Sequence, residues 1–572
     1  MSGGWFWTAW PSGDLDWAAL SEDIDPRWLW AEATGRKGLA SPGQTKKVPV
    51  SFLATEGIQT TVLDGDAALK RMRAGGAQAG WPLDVGDGVP FVTGFGTDPK
   101  PVLAVIDQGL PVFHPCVRGR IKVLSLPSPA PDARTGKLHR EWSGGQLHDL
   151  WSALHDEGLA YRHLGLEPAL QRSLTHGAHV LGLLAAPGDL QDAASQAEIA
   201  AVELPRPVFE DSSATGMGPH VLAALDFIRK QVPNDRPLVV NLSYGSQGGP
   251  HNGSTLVERG IDQFVETRSK DAPTAVVVPA GNARRAEAHA CWDGLGKVAE
   301  LDWWVMPDDE SDSFLELWYP NKKGVEINVS LRSPDGFGLA LSVGLREQQV
   351  AWRDGRVRAG VFHRPHGVVP GDQCVVLIAL GPSAGLRGLG AMAGLWRVRV
   401  ENTGKVKVPV DAWLERDDAP LGSRRRTPAS RLVPVSGFEL RRQDTQNSMA
   451  WGKRSLVVGA LGVAWRPDEP PVLRTTPQPG HHPDSGADQV DAWRLVDSGL
   501  HPAGVRSIGT RDGQTRRLSG TSMAAALYAR DLCNALVGLK FTNVTAKGVP
   551  EKGLAKARRA GTPPFPDPSS PG

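Results

Sequence analysis

Pro101-Val102-Leu103-Ala104-Val105-Ile106-Asp107-Gln108-Gly109 is the stretch from which the rest of the chain can be read. Its five consecutive apolar residues are too few for a helix and lack the alternation of a half-exposed strand. That is the pattern of a strand buried on both faces. The run ends on a carboxylate, and Gly109 allows a turn just beyond it. Comparable runs follow at 199–202, 238–242 and 275–278. Helical spacing lies between them, over 219–231 (Val221, Leu222, Leu225, Ile228) and 256–267. Strands alternating with helices predict a three-layer α/β domain with a mostly parallel sheet and right-handed crossovers.

Outward from this core the character changes. Between about 300 and 435, apolar residues recur with period two (314–318, 325–331, 339–343, 375–380, 396–400, 406–413), separated by Gly, Pro, Asn and Asp. This predicts an inserted antiparallel β-domain of sandwich or jelly-roll type. The α/β pattern returns at 455–459 and closes with a helix from Thr521 to about Val537. The expected division is an N-terminal α+β block (1–96), the first part of the α/β domain (97–300), the β-insert (301–435), the second part of the α/β domain (436–540) and a Pro-rich disordered tail (541–572). The segment 477–486 reads as a surface loop, with His481 and His482 solvated. The Gly/Arg run 422–426 reads as a solvated linker or a basic docking patch.

Composition excludes several function classes. Lys and Arg total 63 against 62 Asp and Glu, so the net charge of +1 offers no global attraction to nucleic acid or an anionic membrane. No run of about eighteen apolar residues provides a spanning helix, and no secretory signal is visible, so a cytoplasmic location is expected. Cys116, Cys291, Cys374 and Cys533 show no Cys-x-x-Cys pairing, which fits free thiols rather than disulfides or zinc ligands. Trp residues crowd the first thirty positions (Trp5, Trp7, Trp10, Trp17, Trp28, Trp30) and read as packing residues.

Four short segments carry chemistry. Asp107-Gln108-Gly109 puts a carboxylate past a buried strand. His176-Gly177-Ala178-His179-Val180-Leu181-Gly182 opens a helix with small residues for close packing. Val278-Pro279-Ala280-Gly281-Asn282 ends a strand with a carboxamide, whose N–H₂ could donate to a developing oxyanion. Gly520-Thr521-Ser522-Met523-Ala524 puts a hydroxyl at a helix N-terminus, where free N–H groups favour negative charge. A serine hydroxyl becomes a nucleophile when a base lies within reach and a carboxylate orients that base. Each residue also has an ordinary reading. Ser522 could be a helix cap, His176 a structural histidine, Asp107 a turn residue and Asn282 an Asx-turn residue. Their coincidence in one chain weighs against four independent accidents. His179 reads as a packing neighbour of His176, and the two lack the helical Glu and third ligand of a zinc site.

The order Asp…His…Ser with these strings resembles the subtilisin-like (subtilase) serine peptidase family. The Gly520–Ala524 string matches the family's Gly-Thr-Ser-Met-Ala without a change. Residues 176–182 match His-Gly-Thr-His-Val-Ala-Gly, with Ala178 and Leu181 as differences. Ala526 stands where the family usually has Pro, and the Asp107-to-His176 interval is longer than in its simplest members. The resemblance covers about 97–300 and 436–540. It implies a triad of Asp107, His176 and Ser522, with Asn282 in the oxyanion hole. Ser243, Tyr244 and Gly245, with Ala280 and Gly281, would bind an extended peptide by strand addition. Calcium is common in the family, but no ligand set can be assigned, so no cofactor is expected.

The implied function is a selective intracellular processing endopeptidase acting on protein or peptide substrates, with a regulatory partner protein conceivable. The alternatives are a catalytically restrained scaffold that binds extended peptides or a partner, and another serine hydrolase such as an esterase. The first 96 residues could serve as an inhibitory propeptide or as a docking module.

Overall fold

The computed structural model describes residues 100–560, apart from the segments 128–138, 188–191, 206–216, 335–339, 354–355, 367–372, 385–390, 418–427, 443, 467–468, 476–489, 498–502 and 540–543. The N-terminal block, the 422–426 run, the His481–His482 pair and residues 561–572 therefore lie outside the described residues.

The apolar runs become strands of one nine-stranded sheet. In chain order these are β1 (Val102–Asp107), β2 (Ile121–Pro127), β3 (His139–Ser143), β4 (Ile199–Glu203), β5 (Leu238–Leu242), β6 (Thr274–Pro279), β7 (Leu456–Arg466), β8 (Glu469–Thr475) and β9 (Ala492–Asp497). Their spatial order is β8-β7-β6-β5-β1-β4-β2-β3, with β9 also paired to β7. The pairs β5–β1, β1–β4, β4–β2, β5–β6, β6–β7 and β7–β9 are parallel. Among the described residues of this sheet, only the edge pairs β2–β3 and β7–β8 are antiparallel.

Side chains of β1 alternate between two cores. Leu103 and Val105 pack with α3 (His176–Ala185), which follows α1 (Gly144–Leu154) and α2 (Glu157–Leu164), and with α6 (Thr521–Leu536) on one face. Val102, Ala104 and Ile106 pack with α4 (Met217–Gln231) and α5 (Leu256–Arg268) on the other. Burial on both faces is what the uninterrupted apolar run required. The chain adds β4 on one side of β1 and β5 on the other. The carboxyl end of β1 is therefore a topological switch point, where crevices form in open α/β sheets.

Between β6 and β7 two antiparallel sheets are inserted. One has five strands in the order Ala340–Val343, Ile327–Arg332, Gly394–Asn402, Val298–Val305, Arg431–Ser436. The other has seven, in the order Gln348–Arg353, Arg356–His366, Gln373–Leu380, Ser313–Pro320, Val410–Leu414, His289–Trp292, Phe438–Leu440. Both line one hydrophobic cluster, with Leu301, Trp303, Val329 and Val398 from the first and Leu315, Leu317, Val376 and Ile378 from the second. Period-two alternation is literal in Gly394–Asn402, where Trp396, Val398 and Val400 are buried and their neighbours are not. The inserted strands begin at His289, before the expected residue 301, and continue to Leu440, past 435. Four residues at His289–Trp292 are too few to show a period.

A second difference concerns the C-terminal segment. Within the expected tail, Glu551–Ala560 forms helix α7. Leu554 and Ala557, one turn apart, are buried in the core beside α6, and Arg494 donates to the Ala557 carbonyl. Five charged residues among the ten of α7 obscure the narrow stripe in the sequence, and the proline cluster that suggests a tail begins only at Pro563, beyond the helix. Among the described residues no helix is long and apolar enough to cross a membrane, and all four cysteines are free and buried.

Candidate active site

Asp107 is the last residue of β1 and is fully buried, with its Oδ1 accepting the backbone N–H of Gln108 at 2.8 Å. The turn beyond it needs Gly109, whose φ is +73° and where a Cβ would meet Thr175 at 2.6 Å. Thr175 is the N-cap of α3. Its hydroxyl donates to the Gly109 carbonyl at 2.6 Å and accepts the Ala178 N–H at 3.2 Å. Gly177 N–H donates to the Gln108 carbonyl at 2.9 Å, and a Cβ on Gly177 would lie 2.5 Å from that same oxygen. These contacts bind the start of α3 to the end of β1.

The consequence falls on His176, the first residue of α3. Its Nδ1 lies 2.9 and 3.0 Å from the two Asp107 carboxylate oxygens. The imidazole is 15% exposed and the carboxylate 0%. With Nδ1–H donated to Asp107, the lone pair belongs to Nε2. His179, one turn on, is buried, with Nε2 3.0 Å from the Val505 carbonyl, and burial lowers it to about 4. It packs rather than faces the cleft.

Ser522 is the second residue of α6, and the N-cap of that helix is Gly520 (φ 137°), which supplies no side-chain cap. The hydroxyl of Ser522 is thus not used as a cap. It donates to the Ser243 carbonyl at 3.3 Å, while Ser243 Oγ donates to the Ser522 carbonyl at 3.1 Å. Asn282 Oδ1 accepts both the N–H (3.2 Å) and the hydroxyl (3.1 Å) of Thr521. With the amide oxygen so occupied, the N–H₂ is the end left to donate elsewhere. The cleft, of about 450 Å³, is lined by His176, Ser243, Tyr244, Gly245, Gly281, Asn282 and Ser522. The remaining candidate, Ala280, is buried beneath it.

A family model for the subtilase family matches residues 98–536, more than half of the chain. The chain belongs to the subtilase family. It is a serine peptidase with a subtilisin-like α/β fold and a mixed sheet. The CspB protease of Clostridium perfringens is 20% identical, with a TM-score of 0.52 over 76% of this subtilase and 81% of that chain. A cold-adapted subtilisin-like serine proteinase is 12% identical, with a TM-score of 0.31 over 85% of this chain and 88% of its own. The A subunit of the AB5 toxin from E. coli is also 12% identical, with a TM-score of 0.29 over 81% and 92%. No curated protein sequence matches significantly.

Three residues of this subtilase's site escape a reading of the sequence. Thr521 aims the Asn282 amide, as above. Asn447 donates to the carbonyls of Tyr244 (3.1 Å) and Pro279 (3.2 Å), tying the segment after β5 to the end of β6. Glu203 ends β4 directly beside Asp107. Its carboxyl oxygens accept the N–H groups of Gly109 at 2.6 Å and Leu110 at 3.0 Å. Burial, with a smaller contribution from Asp107, pushes Glu203 up to about 8, against those two hydrogen bonds. The Thr521 signal was present in the Gly-Thr-Ser string; nothing local marks the other two. Among the described residues, no group of three or more His, Cys, Asp and Glu converges to hold a metal ion.

Proposed function

We propose that this subtilase is an endopeptidase that cuts extended peptide segments by acyl transfer through Asp107, His176 and Ser522. The observation that carries the reading is the 2.9 Å contact of His176 Nδ1 with buried Asp107, in the same cleft as a serine hydroxyl on a helix N-terminus. In this reading the Ser522 hydroxyl exchanges its bond to the Ser243 carbonyl for one to Nε2 of His176, which lines the same cleft. Catalytic hydrogen bonds of this kind commonly tighten only when substrate is bound. The Ser522 oxygen attacks the scissile carbonyl carbon as Nε2 takes its proton, and Asp107 stabilises the imidazolium. The oxyanion accepts from Asn282 N–H₂ and the Ser522 N–H. Collapse expels the amine, which takes the proton from His176, and water then hydrolyses the acyl-enzyme by the same route. Ser243, Tyr244, Gly245, Ala280 and Gly281 bind the extended peptide by backbone pairing.

We read residues 97–300 and 436–540 as one catalytic domain, and the two inserted sheets as a single β-sandwich domain. Four buried, unpaired cysteines fit a reducing compartment, and with it an intracellular processing role. The test is labelling by a fluorophosphonate alongside cleavage of a peptide library. Wild type should label and cut; Ser522→Ala should do neither while melting like wild type. Labelling that survives Ser522→Ala, or a folded wild type that never labels, would overturn the assignment.

A further inference from the structure

We infer that the inserted β-domain is part of the substrate-binding machinery, and that Glu415 is the positioning residue through which it acts. The inference rests on the peptidase reading above.

The chain leaves β5 at Leu242 and runs through Ser243, Tyr244 and Gly245 into a turn at 246–251. That turn is held from the insert. Glu415 directly follows the inserted strand Val410–Leu414 and is only 2% exposed. One of its carboxyl oxygens accepts from the Ser246 hydroxyl and from Gly248 N–H at 2.7 Å; the other accepts Gln247 N–H at 2.9 Å. The approach is close enough that a Cβ on Gly248 would lie 2.8 Å from the carboxyl groups of both Glu415 and Glu316.

The other side of the turn is held by stacking. His251 Nε2 donates to the Gln247 carbonyl at 2.8 Å. Its ring stacks on Trp413 of the insert, with centroids 4.3 Å apart and planes 9° apart. The opposite face of Trp413 is covered by His289 at 4.8 Å and 6°, and its Nε1 donates to the Asp444 carbonyl at 3.0 Å. Gln247 therefore has its N–H held directly by the insert and its carbonyl held through His251. Leu414 and Glu415 also line the cleft that holds Ser522.

A segment that pairs with a peptide must stay extended before the peptide arrives, or binding has to supply the ordering. Three hydrogen bonds to one buried carboxyl group do this for the segment after β5. A small phosphonylating reagent such as a fluorophosphonate, which loses fluoride to the attacking serine oxygen, engages only Ser522 and the oxyanion donors, so it needs no such segment. The insert thus governs affinity for extended peptides without governing reactivity of the serine.

The test compares wild type, Glu415→Ala, Glu415→Gln and Ser246→Ala. Glu415→Ala should raise KM for an extended peptide about tenfold or more, with the rate of fluorophosphonate labelling changed by less than about twofold; removal of charged-group hydrogen bonds on this scale supports that size. Glu415→Gln, which can still accept on one oxygen, should recover part of the loss. Ser246→Ala removes one donor, leaves the carboxyl group bonded to Gln247 and Gly248, and should raise KM about two- to fivefold. It keeps the proposal testable if Glu415→Ala does not fold. Hydrogen exchange at the Gln247 and Gly248 amides is a readout independent of catalysis, and protection there should fall in the Glu415 variants. Unchanged exchange, unchanged KM, or equal losses of peptide cleavage and labelling would each refute the inference. A wild type that neither labels nor cuts would instead sink the peptidase reading, while exchange would still decide the clamp.

Discussion

Arg530 joins the helix that carries Ser522 to the helix that carries His176, and its removal should loosen the site from behind. It lies on α6, about two turns beyond Ser522. Its Nε and Nη2 meet Asp192 at 2.7 and 3.0 Å in a two-pronged pair, and its Nη1 donates to the carbonyls of Ala186 (2.7 Å) and Leu183 (3.3 Å) at the end of α3. Asn534, one turn on, donates to the same carboxylate at 2.8 Å. A cation at a helix C-terminus is also favoured by the helix dipole. The ion pair is 15% and 27% exposed on its two sides. Breaking a fully buried pair costs about 3–5 kcal/mol and a surface pair about 0–1 kcal/mol, so this one should fall near 2–3 kcal/mol once the carbonyl bonds are included.

Arg530→Met should therefore lower the midpoint of urea unfolding by an amount worth roughly 2–3 kcal/mol. It should also lower kcat by about 10- to 100-fold while protein remains folded, because small misplacements of reacting groups are costly. Arg530→Lys should recover only part, since an ammonium cannot reproduce the fork. The effect has a pH signature. Burial raises the Asp192 carboxyl, but its bonds to Arg530 and Asn534 outweigh that and hold it below the ordinary value of 3.8. A depressed carboxyl stabilises above its unfolded value and loses that contribution as pH falls through its folded value. The gap between wild type and Arg530→Met should thus shrink at acid pH. Equal midpoints, together with an unchanged kcat at neutral pH, would refute the reasoning.

Gly177→Ala should cut kcat by about 100-fold or more and cost roughly 1–3 kcal/mol of stability, because the added carbon meets the Gln108 carbonyl at 2.5 Å and drives His176 away from Asp107; steady-state kinetics and a thermal melt check it. Asp107→Asn should lower kcat by about 10⁴-fold with little change in fold, since the imidazole loses the partner that sets its tautomer. The Glu203 carboxyl, raised to about 8, gives stability that is complete below its unfolded value of 4.5 and is lost as pH rises toward 8. Wild type should accordingly lose stability over that window relative to Glu203→Gln, and parallel pH–stability curves would contradict this. Burial pushes the thiols of Cys116 up to about 11 and those of Cys291 and Cys533 up to about 12. Native protein should react with a thiol reagent only on unfolding, when all four cysteines become titratable.

Much of the α/β framework was legible because its signals are local. A strand covered on both faces has to be apolar throughout, so Val102–Ile106 announces its own position in the sheet. A turn just past such a strand needs a residue like Gly109, and a tight helix contact needs one like Gly177. The strings around Asp107, His176, Asn282 and Ser522 could be found because each lies at the end of an element with a readable period. What stayed hidden depends on separations no window spans. Glu203 looks like any charge at a strand end until β4 is laid beside β1 and its oxygens meet Gly109 and Leu110, more than ninety positions away. Glu415 ends an ordinary inserted strand until the insert folds back on residues 246–248, nearly 170 positions earlier. His289–Trp292 was too short to show alternation, and Leu554 with Ala557 too sparse a stripe to reveal a helix before packing on α6. The sequence alone determined the central buried strands, the helices between them and the groups at their ends; the tertiary structure decided the short and sparse elements and which buried carboxyl groups meet which backbone, because packing and hydrogen bonds are chosen by proximity and not by order along the chain.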